Sequence, residues 1–399
     1  IRTTDDKENA MRALVLDGQF DPRPDYPVTE TERRSRIARK GSNVWRHTTL
    51  EVKDIPEPEV GPEDVLIRVR ACGVCGSDLH LYETDEDGYL IYPSWTRLPV
   101  VIGHEFAGEV VGVGEKVTDF KVGDLVTGEQ LHWCGKCSSC RRGLYNHCRN
   151  MGRFGFVTNG AFAEYVAMRD KYVWSINSLL AVYGDKDKAC EAGALVEPTG
   201  ISYNGLFTRA GGFLPGAVVV VYGAGPIGLT SIALSRLAGA SKIIVFEVTE
   251  SRRQLAQRFG ADHVYNPQAL AEQGSSPHEV VLELTHGEGA DVQVEAAGVP
   301  KATLPEIEQS LAVGAKVVHL GRRAGAVPTS ITVYQDTGSQ SFGSLGHTGW
   351  GTFGNIIKLM ASGRLDMTPM ITARYPLEQA AEAVRSLANR EGGKVMVKI

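Results

Sequence analysis

The chain has no apolar run long enough to cross a bilayer, no surplus of positive charge and no low-complexity segment. The first absence argues against a membrane-spanning helix. The second, a net charge of -5 over 399 residues, removes the basic face that a nucleic-acid binder needs. The short basic run ERRSRIARK (Glu32 to Lys40) reads as a solvated loop or helix face. The opening IRTTDDKENA lacks the positive-then-apolar order of a signal peptide and precedes Met11. Residues 1–10 are therefore expected to be a tag or a disordered extension, and the protein to be cytoplasmic. Cysteine is also scarce: seven residues, an odd number, which fits a disulfide framework poorly.

Four of those seven are crowded into WCGKCSSCRRGLYNHC. Cys134, Cys137, Cys140 and Cys148 are spaced C-x2-C-x2-C-x7-C. Four thiolates suit a tetrahedral zinc, and such a closed shell leaves no position for water or substrate. An iron–sulfur cluster or a set of redox thiols would use the same residue type. The compact spacing, without the proline that follows bacterial ferredoxin runs, favours zinc. This stretch is thus expected to staple a lobe, and catalysis must be sought elsewhere.

The first half is β-rich. MRALVL, EDVLIRVRACGV, FAGEVVGVG, VGDLVTGE and GAFAEYVAM alternate apolar and polar positions, separated by Gly, Pro and Asp. They predict an antiparallel sandwich or partial barrel. The segment between Leu16 and Leu50 is too long for an ordinary connector, and is expected to be functional or disordered. After about Glu191, strands alternate with helices, which predicts a doubly wound parallel sheet. GNIIKLMASGRLDM and LEQAAEAVRSLAN then read as helices, and KVMVKI as a closing strand.

Two constellations carry chemistry. Cys75 (in ACGVCGSDLHLY), His104 and Glu105 (in VIGHEFAGEV), and Glu197 (in GALVEPTG) offer a thiolate, an imidazole and carboxylates. Such a mixed set can hold zinc and leave one position open. Singly, a core Cys or a surface His or Glu is ordinary; the signal is their joint occurrence. The second is VVVVYGAGPIGL, with Gly223, Gly225 and Gly228 spaced G-x-G-x-x-G around Pro226 and Ile227, after an apolar strand and at a helix start. The first Gly permits the turn, the second lets backbone approach a pyrophosphate, and the third lets helix and strand pack closely. Glu247 ends the next strand, 19 residues after Gly228, where it can accept ribose hydroxyls. A glycine turn serving packing alone is the alternative. Glu247 favours NAD over NADP; Arg252 and Arg253 lie nearby and could relax that choice, the plainer reading putting Arg252 along the adenine edge and Arg253 in solvent.

Taken together, CGVCGSDLH, GHEFAGEVVGVG, GDLV, the four-cysteine lobe, VEP and GAGPIG resemble, in order, the zinc-containing medium-chain dehydrogenase/reductase (alcohol dehydrogenase) superfamily. Within it the sequence looks closest to the polyol branch of sorbitol, threonine and cyclitol dehydrogenases. VWR, YETDEDGYLIYP and GSLGHTGWGTF look most like scyllo-inosose and related cyclitol dehydrogenases. The resemblance implies a GroES-like catalytic domain over 11–204, with a structural zinc lobe at about 130–150. It implies a Rossmann domain over 205–344 and a return to the catalytic domain over 345–399. It also implies two zinc ions per chain, NAD, and a homodimer or homotetramer.

By the same resemblance, Cys75, His104 and Glu105 match catalytic zinc ligands, and Glu197 contacts the metal directly or through water. Ser77 and His80 match proton-relay positions; turn chemistry and a structural hydrogen bond are their ordinary alternatives. The expected reaction is oxidation of a secondary alcohol of a polyol, a cyclitol first, by NAD+. A sorbitol- or threonine-type dehydrogenase and an inert NAD-binding scaffold or sensor are the rivals. Tyr82, Glu83, Asp85, Asp87, Tyr89, His347 and Trp350 are candidate substrate contacts, or ordinary loop residues.

Overall fold

The computed structural model describes residues 10–322 and 325–399, so residues 1–9 of the expected extension lie outside it. The chain divides into two compact units. One runs up to Glu197 and takes in Ala373–Asn389 and Lys394–Ile399; the other is Pro198–Thr372 with Arg390–Gly393. The expected boundaries at 204/205 and 344/345 are therefore displaced. Residues 345–372 stay with the second unit because they pack on it. A Cβ on Gly200 would meet His347 Cβ at 2.8 Å, and the His347 ring lies 4.9 Å from that of Phe353, in the helix Thr352–Ala361.

The first unit is built on an antiparallel sheet. Its strands run Val173–Ser175, Leu125–Gly128, Glu105–Val113, Asp64–Val74 and Lys394–Lys398 in spatial order, with Tyr165–Arg169 also on Asp64–Val74. Alternation along these strands sends Val65, Ile67, Val69 and Phe106 into a shared core. The last strand thus returns from the chain end to lie beside the residues leading into Cys75, with Val395 opposite Val74.

The long segment after Leu16 is ordered. Ala10–Phe20 pairs antiparallel with Trp45–Pro56, from Ala10 opposite Pro56 to Phe20 opposite Trp45. Between them the helix Glu30–Ser35 opens on a capping box from Thr29 and Glu32. The basic run lies across this helix and the strand Ile37–Ala38. Two of its arginines spread over aromatic rings: Arg36 sits 4.7 Å from the Phe20 centroid and Arg39 6.0 Å from that of Trp95.

The second unit is a six-stranded parallel sheet. Its order is His263–Tyr265, Lys242–Phe246, Val218–Tyr222, Ala290–Glu295, Leu311–His319, Gln340–Gly343. This is the doubly wound 3-2-1-4-5-6 order, whose reversal next to the first strand makes a crevice at the strands' carboxyl ends. Among the described residues no helix is long and apolar enough to cross a membrane.

Candidate functional site

Cys75 directly follows the strand Asp64–Val74 and precedes the short helix Gly76–Tyr82. Its N–H donates to Asp78 Oδ2 at 2.9 Å, which fixes the turn. His104 and Glu105 enter at the start of the neighbouring strand, with Glu105 opposite Gly73. Cys75, His104 and Glu105 each bring a ligand atom within 4.8 Å of the others.

The polar atoms of this cluster are not used up by the protein. Ser77 Oγ, Asp78 Oδ1, His104 Nδ1 and Glu105 Oε2 are buried and make no hydrogen bond. His104 Nδ1 nevertheless lies 3.4 Å from Asp78 Oδ1, a carboxylate placed to orient the ring and leave its other nitrogen for a cation. Burial alone would push the His104 imidazole down. The nearby Asp78 carboxylate, with Cys75, more than offsets it and pushes it well up. Soft sulfur, imidazole and carboxylate donors with unsatisfied buried atoms fit a divalent zinc ion.

A residue that sequence spacing could not assign completes the cluster. Lys394, 2% exposed, arrives on the C-terminal strand. Its Nζ lies 2.7 Å from both Glu105 oxygens, hydrogen-bonds to Oε1, and donates to the Val74 carbonyl at 3.1 Å. Burial would push the ammonium down, but Glu105, Cys75 and Glu197 hold it up, charged. Burial pushes the Glu105 carboxyl up, Lys394 pulls it back, and Glu197 adds to the upward push. With an ammonium at 2.7 Å, we describe the pair as ionised. Glu197 is itself buried and within electrostatic reach of both.

His80 lies on the exposed side of the same helix, with Nδ1 3.1 Å from Glu83 Oε2. The other acidic-loop candidates are tied to the segment after Leu16. Arg23 pairs with Asp85 and, at 2.8 Å, with Asp87. Tyr89 is buried, its ring between the guanidinium groups of Arg23 (4.0 Å) and Arg46 (5.3 Å). These side chains brace one loop against another. His347 is fully buried and Trp350 is 62% exposed.

The four lobe cysteines also converge, with ligand atoms within 4.8 Å. Cys137 Sγ lies 3.5 Å from that of Cys140 and 3.9 Å from that of Cys148. A tetrahedron with metal–sulfur bonds near 2.3 Å has an edge of about 3.8 Å. Backbone N–H groups of Lys136 and Cys137 point at Cys134 Sγ (3.4 Å each), and those of Cys134 and Asn150 at Cys148 Sγ (3.3 Å each). Such donors favour thiolates: N–H bonds from Cys140 and Arg149 bring Cys137 down to about 6 and those of Lys136 and Cys137 lower Cys134, while burial pushes Cys148 up and Cys140 up to about 12.

In the second unit the glycines behave as their spacing predicts. Gly223 has φ +91°, and a Cβ on Gly228 would sit 1.9 Å from the Gly223 carbonyl. A Cβ on Gly225 would meet only Arg252, at 3.8 Å, so this backbone is open to approach. Gly225 caps the helix Pro226–Leu237, with Pro226 in its first turn and Ile227 following. Glu247 Oε2 accepts from Ala224 N–H at 2.7 Å and Oε1 from Thr249 N–H at 2.8 Å, which ties the carboxylate to the glycine loop. Arg252 is anchored by the Gly392 carbonyl (2.8 Å). Arg253, expected in solvent, instead donates to the carbonyls of Glu247 (2.9 Å) and Val248 (2.7 Å) and pairs with Glu250. The turn between the strand and the helix Glu250–Arg258 leaves these two carbonyls without backbone partners among the described residues, and the nearest guanidinium covers them.

Residues 61–178 match the model of the alcohol dehydrogenase GroES-like domain, and residues 226–362 that of zinc-binding dehydrogenases. Scyllo-inosose 3-dehydrogenase of Thermotoga maritima is 41% identical over 400 positions, spanning 98% of this chain and 99% of that one. L-Threonine 3-dehydrogenase of Symbiobacterium thermophilum is 35% identical, over 93% and 98%. A solved Thermotoga maritima structure, described as a candidate alcohol dehydrogenase, superposes with a TM-score of 0.93 at 41% identity, covering 98% of this chain and all of that one. 2R,3R-butanediol dehydrogenase from Bacillus subtilis superposes at 0.78 with 26% identity, over 98% and 99%. The chain belongs to the zinc-binding alcohol dehydrogenase family, with a GroES-like domain, a Rossmann-type domain, and dehydrogenase chemistry that uses zinc and a nicotinamide cofactor.

Proposed function

We propose that the chain oxidises a secondary hydroxyl of a polyol, a cyclitol in first place, with NAD+ as hydride acceptor. The observation that carries this reading is the three-donor set Cys75, His104 and Glu105, short of a full tetrahedral shell, beside the closed four-cysteine lobe. Zinc held there would acidify a bound hydroxyl, as it lowers water from 15.7 to about 7, while NAD+ takes up the hydride. The lobe would hold a second, structural zinc.

The protein's own groups do the rest. Ser77 Oγ, buried and unbonded, is the first acceptor of the substrate proton. His80, exposed and oriented by Glu83, passes it to solvent. The backbone around Gly225, Pro226 and Ile227 receives the pyrophosphate, and Glu247 the ribose hydroxyls. A carboxylate at Glu247, with Arg253 spent on its own carbonyls, supports NAD over NADP. Glu197 stands close enough in charge to Glu105 to share in the metal's environment. With five of the seven cysteines gathered in metal-donor sets, a reducing, cytoplasmic setting is the expected one. A dimer or tetramer is the expected assembly.

Cyclitol oxidation is favoured by the 41% identical relative named for scyllo-inosose. The relatives named threonine dehydrogenases favour a second reading, oxidation of a 3-hydroxy amino acid. A screen for NADH formation over inositols, inososes, sorbitol and threonine separates them. Turnover confined to threonine would remove the cyclitol assignment. Cys75→Ala should abolish turnover and spare NAD binding; near-normal activity in that variant would remove the site. Metal analysis should find two zinc ions per chain, against one for an inert scaffold.

A further inference from the structure

Lys394 and Glu105 are 2% and 1% exposed, so their pairing is sealed from water. One ammonium joins the two strands that carry the donor set. It bonds Glu105 Oε1 on one side and the Val74 carbonyl, next to Cys75, on the other. Glu105 Oε2 lies as near to the ammonium, at 2.7 Å, but outside bonding direction, and has no hydrogen bond. Gly73 keeps that oxygen clear, since a Cβ there would come within 2.3 Å of it. The carboxylate is thus built to be shared.

We propose that Lys394 is a positioning residue that divides Glu105 between itself and the metal, so that the ion is held less tightly than the donors alone would hold it. This rests on the metal site of the proposed function. A carboxylate that donates part of its density to an ammonium is a poorer metal ligand, and a fixed positive charge beside a divalent ion repels it. A Glu105 carboxylate left undivided would bind the ion more firmly and resist exchange of oxygen ligands. The lysine keeps the site filled and exchangeable at once. A purely structural lysine would have the opposite signature, because its loss would loosen the ligands and the metal with them.

The test uses full-length protein with its lobe zinc retained and zinc affinity at the second site measured by chelator competition. Cobalt substitution gives a spectral readout of the Cys75 ligand field. Lys394→Met should bind the second ion at least tenfold more tightly, about 1.4 kcal/mol, with a changed cobalt spectrum. Lys394→Arg should stay within threefold of wild type. Equal or weaker binding in Lys394→Met overturns the proposal. If that variant fails to fold around an unpaired carboxylate, Lys394→Met/Glu105→Gln is compared with Glu105→Gln; the double variant must bind more tightly. Wild type that takes up no second ion defeats the functional reading itself. Two ions with no tightening defeats only this inference.

Discussion

Replacing Glu32 with Gln should loosen the excursion between Phe20 and Trp45 while both compact units stay folded. Glu32 is 2% exposed and accepts four hydrogen bonds. Oε2 takes the Thr29 N–H (2.9 Å) and hydroxyl (2.8 Å); Oε1 takes the Tyr26 hydroxyl (2.8 Å) and the Arg39 N–H (3.0 Å). Burial pushes this carboxyl up, yet the donors, led by the Arg39 and Thr29 N–H groups, bring it down to about 2 from the usual 4.5. At 1.36 kcal/mol per pH unit that gap is worth roughly 3 kcal/mol. The folded value is depressed, so this stability is present above pH 4.5 and lost as pH falls towards 2. Gln keeps one acceptor oxygen and turns an N–H₂ group towards donors, so most of the gain goes. Hydrogen exchange near neutral pH should find the Thr29 and Arg39 amides about a hundredfold less protected in Glu32→Gln. A loss below threefold would refute the idea that this carboxylate organises the excursion.

Gly225→Ala should weaken NADH binding at least tenfold with an unchanged melting point, because its Cβ meets only a flexible guanidinium; calorimetry and thermal melting check both. Gly228→Ala should lower the melting point as well, since its Cβ would strike the Gly223 carbonyl at 1.9 Å. Cys134→Ser should release one zinc and destabilise the lobe, read by metal analysis and by proteolysis of the 130–150 region. Ser77→Ala should lower kcat about 10²-fold with little change in KM, measured by steady-state kinetics.

Features encoded over a few residues were legible in the sequence. The strands, the parallel sheet and the glycine turn follow from periodicity and local sterics, and the cysteine lobe from spacing. Cys75 and the His104–Glu105 pair could be joined only because the motifs appear together. Lys394 could not be found that way: it lies 289 positions from Glu105, and a lysine in a closing strand carries no mark of burial. Asp78 accepts the Cys75 N–H as any turn residue can, yet its other oxygen lies 3.4 Å from His104. Arg253 was missed because the carbonyls it covers are backbone atoms, the same for every side chain. The excursion after Leu16 resisted reading because its order comes from one buried carboxylate and from arginines lying over rings, neither of which is periodic.

The C-terminal strand has a consequence for how the chain is made. Lys394 follows Glu197 by 197 positions, so it is synthesised long after Cys75, His104, Glu105 and Glu197. Until then Glu105 and Glu197 are without the Lys394 ammonium, while the residues of the second unit are still being made. Metal uptake before Lys394 is in place would therefore meet a stickier pocket than the finished one.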